Sequence, residues 1–133
     1  MILAVDPQNA DTLFYADGCG VHKTTDDAAS WNRVLSSTPV SSLAIDPANT
    51  GIVYAGTINS GILKSADGGI SWHSMNLGQE IVNALAVDPG NPGTIYASTF
   101  SSLRKTTDGG ESWTESNAGL RVVFVANLLK LRF

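Results

Sequence analysis

Lys64-Ser-Ala-Asp-Gly-Gly-Ile-Ser-Trp72 is the stretch on which the fold turns, because the chain says it three times. The other two copies are Lys23-Thr-Thr-Asp-Asp-Ala-Ala-Ser-Trp31 and Lys105-Thr-Thr-Asp-Gly-Gly-Glu-Ser-Trp113, so that all three tryptophans stand 41 residues apart. A fixed period of this size is the mark of a solenoid or a propeller, in which each unit buries its apolar faces against its neighbours. Working outward, each copy is preceded by an opening string: Leu3-Ala-Val-Asp-Pro7, Leu43-Ala-Ile-Asp-Pro47 and Leu85-Ala-Val-Asp-Pro89. Between the two lies a third string, Phe14-Tyr15-Ala16, Val53-Tyr54-Ala55 and Ile95-Tyr96-Ala97. The openings are spaced by 40 and then 42 residues, and the wobble falls in connections, where length changes are tolerated.

Inside a unit the apolar runs are short and punctuated, which suits strands rather than helices. In the second unit the reading is strands at 40–45, 51–56, 61–65 and 72–75. Asp46-Pro47 stops the first, because proline cannot donate to a ladder, and Asp67-Gly68-Gly69 turns the chain where positive φ is required. Four short antiparallel strands in about 40 residues compose one propeller blade. The expected fold is therefore all-β: three four-stranded antiparallel β-propeller blades plus a partial fourth. The blades run over roughly 1–36, 40–76 and 81–117, and a truncated fourth occupies 118–133. There Val122 to Val125 falls where an opening strand is due, but no Asp-Pro follows.

Composition closes several routes. With 8 Lys and Arg against 12 Asp and Glu, a formal charge of -4, and no basic cluster, no nucleic-acid or anionic-membrane footprint is expected. One cysteine, Cys19, excludes an internal disulfide framework. Met1 is followed directly by Ile2-Leu-Ala-Val5, with no basic leader and no long apolar run, so neither a signal peptide nor a membrane span is written here.

The strings ending at Trp31, Trp72 and Trp113 resemble the Asp-box, or BNR repeat, S/T-x-D-x-G-x-x-W. Asp67, Gly69 and Trp72, and Asp108, Gly110 and Trp113, match it fully. The first copy has Asp26 and Trp31 but carries Ala28 at the glycine and Asp27 before it, so a distorted first turn is expected. The eight motif residues have a sufficient architectural role: a turn carboxylate accepts bonds from nearby backbone N–H groups, and the tryptophan folds over the hairpin. Asp6, Asp46 and Asp88 start turns before proline in the same way, and Lys23, Lys64 and Lys105 read as solvated strand positions.

Families built on this repeat include sialidases, xyloglucan-cleaving glycoside hydrolases, sortilin-type receptors and photosystem II assembly factors, and fold alone does not choose among them. A sialidase needs an arginine cluster, but Arg33, Arg104, Arg121 and Arg132 stand at unrelated positions of their units, and the Arg-Ile-Pro string is missing. Other glycosidases need two carboxylates across a cleft. Once the repeat aspartates are set aside, Asp17 and Glu80 are the candidates near strand ends, with a solvated surface role the simpler reading of both. Cys19 and His22 lack a third group, and Cys19, His22 and His73 lack zinc-ligand spacing.

The expectation is a non-catalytic interaction module with no catalytic residues, metal or cofactor, meeting a protein or polysaccharide partner. The alternatives are a segment of a secreted, xyloglucanase-like hydrolase and a photosystem II assembly-factor-like scaffold. The resemblance implies an extracellular or periplasmic location. Because propellers use four to eight blades, the expectation is either that the natural chain is longer, these residues being a three-blade fragment, or that copies self-associate to close the ring.

Overall fold

In the computed structural model, residues 1–91 and 93–116 are described. The fourth-blade reading of 118–133 lies outside them. Among the described residues twelve strands form three separate sheets of four, each with its strands in sequence order. The first sheet holds β1 (Ile2–Val5), β2 (Leu13–Asp17), β3 (Gly20–Thr24) and β4 (Asn32–Ser36). The second holds β5 (Val40–Ile45), β6 (Val53–Thr57), β7 (Ile62–Ser65) and β8 (His73–Ser74), and the third β9 (Val82–Val87), β10 (Ile95–Thr99), β11 (Leu103–Thr106) and β12 (Thr114–Glu115). All neighbours are antiparallel, the arrangement that short hairpins permit.

Strand alternation decides which residues meet. Ile2 and Ala4 face the second sheet, whereas Leu3 and Val5, pointing the opposite way, are 60% and 53% exposed. The core lies between sheets. Phe14, Ala16 and Val21 of the first meet Val53 and Ala55 of the second, with Trp72 packed on the group. Tyr54 and Ile62 of the second meet Val82, Ile95 and Ala97 of the third, with Met75 and Trp113 packed there. Burying a side chain such as Phe14 or Ile62 contributes roughly 1.5–3 kcal/mol each.

The pairing corrects one alignment drawn from the sequence. Ala4 pairs with Phe14, Ala44 with Tyr54 and Ala86 with Tyr96, so Phe14 occupies the place of Tyr54 and Tyr96. The recurring tyrosine suggests that column for Tyr15. Tyr15 instead stands where the other sheets carry Ala55 and Ala97, and pairs with His22 where they carry Leu63 and Arg104.

Candidate functional site

The three motif turns share one geometry. The hydroxyl of a buried Thr24, Ser65 or Thr106 donates to the aspartate two residues on, at 2.7, 2.8 and 2.6 Å. The same oxygen accepts the backbone N–H of Ala28, Gly69 or Gly110, at 3.1, 2.7 and 3.0 Å. The aspartate then takes the backbone N–H of Ser30, Ser71 or Ser112, each at 2.9 Å, on one oxygen. Its other oxygen takes the hydroxyl of that same serine. Both carboxylate oxygens are thus occupied within the hairpin.

These donors hold the carboxylates below the ordinary range. The Ser30 hydroxyl, followed by that of Thr24, lowers Asp26 to about 2. The Ser71 hydroxyl depresses Asp67 further, and the Ser112 hydroxyl does so for Asp108. Asp88 is lowered mainly by the side chain of Asn91. A depressed folded-state pKa gives stability that is complete above the unfolded value, near pH 4, and is lost as pH falls through the folded value. The unfolding midpoint is therefore expected to hold steady down to about pH 4, then to drop toward pH 2 as the turns protonate. An Asp67→Asn variant should unfold earlier at neutral pH and show a shallower acid drop; an undiminished drop would contradict this account.

The first turn is not distorted, contrary to the expectation drawn from Ala28. Asp27 and Ala28 adopt φ of 56° and 67°, the left-handed pair that Gly68 and Gly69 make at 71° and 99°. The hydrogen-bond clip holds these residues in a conformation that side chains disfavour, at a cost of about 1 kcal/mol or more each. Its tryptophan differs too. Trp72 donates its indole N–H to the carbonyls of Gly69 and Val34, both at 3.0 Å, and so ties its own turn to the preceding sheet. Trp113 donates to Gly110 at 3.1 Å. The Trp31 indole N–H finds no acceptor among the described residues, and the residue is 40% exposed.

Trp31 instead stands edge-on to Tyr15, with ring centroids 6.2 Å apart, and Tyr15 lies 5.9 Å from His22. The three line an open recess of about 340 Å³ on the outward face of the first sheet. Sequence reasoning misses this cluster, because matching the tyrosines puts Tyr15 in the wrong column; counting back from Lys23 by ladder pairing is the signal that finds it.

The other candidates are separate. Asp17 closes the β2–β3 hairpin by accepting the Cys19 backbone N–H at 2.7 Å. Glu80, in the connection before β9, receives Arg104 Nη2 at 2.8 Å, and Glu115 lies 3.9 Å from that nitrogen. No contact joins Asp17 to Glu80. Cys19 is exposed, and among the described residues no three His, Cys, Asp or Glu side chains gather as metal ligands. No described helix is long and apolar enough to cross a membrane.

The lysines are more than solvated strand positions. Lys23, Lys64 and Lys105 lie over Phe14, Tyr54 and Tyr96, 5.4, 5.6 and 5.4 Å from the ring centroids. Lys23 also donates to the Gly68 carbonyl at 2.8 Å, and Lys64 to that of Gly109 at 3.4 Å, each reaching into the turn of the following sheet. Burial, with Asp46 nearby, pushes the Tyr54 phenol up to about 12.

These features define an all-β protein made of four-stranded propeller blades. Comparison with solved structures agrees. An ancestral GH74 enzyme superposes with a TM-score of 0.77 at 22% identity, over 87% of this chain and 18% of that one. The GH74 enzyme of Niastella koreensis gives 0.72 at 26% identity, over 86% and 22%. YCF48 bound to a D1 peptide gives 0.67 at 16% identity, over 86% and 40%. The chain thus spans between 18% and 40% of the length of these structures. No protein-family model matches the chain. No curated protein matches it either.

Proposed function

We propose that the chain is a non-catalytic Asp-box propeller module that presents its loops to a protein or carbohydrate partner. One observation carries this reading: each conspicuous carboxylate already has a structural task. Asp26, Asp67 and Asp108 have both oxygens engaged within their own turns. Asp17 caps a hairpin, and Glu80 is paired with Arg104. A glycosidase needs one carboxyl free to carry a proton and a second facing it across a bound sugar.

Two further readings have support of their own. The likeness to GH74 enzymes favours a segment of a secreted, xyloglucanase-like hydrolase. The likeness to YCF48 favours an assembly scaffold that holds a peptide. Electrophoresis through gels containing xyloglucan, with a parallel assay for reducing ends and a binding screen on immobilised peptides, separates the three. Retardation in the gel or retention on a peptide, without new reducing ends, is the expected result. Release of reducing ends that is lost in Asp17→Asn or Glu80→Gln would replace the proposal by the hydrolase reading. Failure to bind either class would remove the module reading.

A further inference from the structure

Each blade ends in an outer strand whose far edge pairs with nothing among the described residues. That edge looks away from the neighbouring blades. The second sheet has another packed on either side of it, yet the edge of β8 is still unpaired. Blades stack on sheet faces, so adding more of them leaves the outer edges open.

The three edges differ in length. β8 and β12 have two residues each, too short to template another strand, whereas β4 has five. Gly20 makes the difference. With φ of 143° and no Cβ, it lets the Leu35 carbonyl pass where a side chain would stand, and β4 runs on to Ser36. In blade 2 the chain turns away beyond Met75, the Leu77 N–H bonding back to the Met75 carbonyl at 2.7 Å.

Ladder alternation decides which groups of β4 face out. Ser37 sends its N–H inward to the Cys19 carbonyl at 2.8 Å, so Ser36 beside it turns its own N–H and C=O outward. Arg33 stands where blade 3 has Glu115, one residue before the Ser116 N–H that bonds inward to Leu103 at 2.8 Å, and it faces out likewise. Between them lies the bulge at Val34, whose carbonyl is taken by the Trp72 indole. Asn32, Arg33 and Ser36 are exposed. So are His73, Ser74, Thr114 and Glu115, each with a described blade in front, so this exposure does not depend on what precedes blade 1. Arg33 is the one charge on β4 and makes no ion pair among the described residues.

We propose that β4 receives an extended peptide segment of a partner protein as a fifth strand of the first sheet, with an acidic side chain of that segment beside Arg33. Main-chain bonds to Arg33 and Ser36 supply the hold, and Arg33 selects by charge. The edge is roughly 17 Å long, room for a segment of about five residues. A second copy fits it less well, because two β4 strands would bring Arg33 toward Arg33 and each copy carries a charge of -4.

The inference rests on the module reading and narrows it to a protein partner at one strand edge. The two fail separately: a peptide held elsewhere on the chain keeps the module reading and removes this one.

Random heptapeptides displayed on phage and panned on the full chain supply the probes, and the selected peptides are then synthesised. They are expected to carry an acidic residue and to slow hydrogen exchange at residues 32–36, but not at 73–74 or 114–115. N-methylation of one of the two alternate sets of peptide amides should weaken binding about tenfold or more. Arg33→Glu should weaken these peptides about tenfold and favour versions with lysine in place of the acid. Ser36→Pro, which removes an N–H that the sheet does not use, should weaken them about fivefold with the circular dichroism unchanged. The proposal falls if no peptide is selected, if both N-methylated sets bind as before, if Arg33→Glu has no effect, or if the protected amides lie elsewhere. It falls equally if protection at 32–36 rises with protein concentration alone, which would place a second copy on the edge.

Discussion

Replacing Trp72 by alanine is expected to destabilise the protein by about 3 kcal/mol, whereas the same change at Trp31 should cost about 1 kcal/mol or less. The two residues hold the same place in the repeat, so sequence alone assigns them equal weight. They differ in what they touch. The Trp72 ring packs on the cluster shared by the first two blades, and its N–H bridges the carbonyls of Gly69 and Val34. Removing it opens a cavity between sheets and strands an acceptor that the preceding blade supplies. Trp31 packs on no second sheet among the described residues, is 40% exposed and makes no indole hydrogen bond there. Urea unfolding at low protein concentration, where association contributes little, measures both. Equal losses would mean that the tryptophan acts inside its own hairpin and not as a tie between blades.

The second large effect is at Gly20, the first residue of β3. Its φ is 143°, and a Cβ placed there falls on the Leu35 carbonyl oxygen, which is backbone and has no rotamer to yield. Gly20→Ala is expected to cost about 3 kcal/mol or more, combining backbone strain with overpacking at a strand pair. Gly18, in the same β2–β3 hairpin, has open space within 4 Å of where a Cβ would stand and no positive φ, so Gly18→Ala should change stability by about 0.5 kcal/mol or less. Melting curves of the two variants make the comparison internal. A tolerated Gly20→Ala would show that β3 and β4 can part at Leu35 without penalty.

The blades themselves are legible because a period of 41 residues with a tryptophan and an Asp-Pro in every unit admits few architectures. Strand limits come close, with 40–45 matched by β5 and 61–65 by β7, since the punctuating residues act locally. The turns are legible only in part. The aspartate can be assigned to its own hairpin, yet nothing marks Ser30, Ser71 and Ser112 as its partners, although they recur beside every tryptophan. Their role depends on a hydroxyl reaching back four residues, which the string does not display. Two further features are tertiary and have no local signal: the lysine reaching into the next blade, and the salt bridge from Arg104 to Glu80 across 24 residues. The Tyr15 column error has the same origin, because register is a property of paired strands and a single residue's slip turns a side chain to the other face.

The lysine links have a consequence for how such a chain tolerates sequence drift. Lys23 and Lys64 are received by main-chain carbonyls, and a carbonyl survives any substitution at its own residue. Both accepting carbonyls belong to glycines, at 68 and 109, the repeat places aspartate at the equivalent position 27, and the donor is lysine in both links. Mutational freedom is therefore one-sided: the receiving turn can vary its side chains and keep the coupling, but a blade that loses its lysine loses hold of its successor.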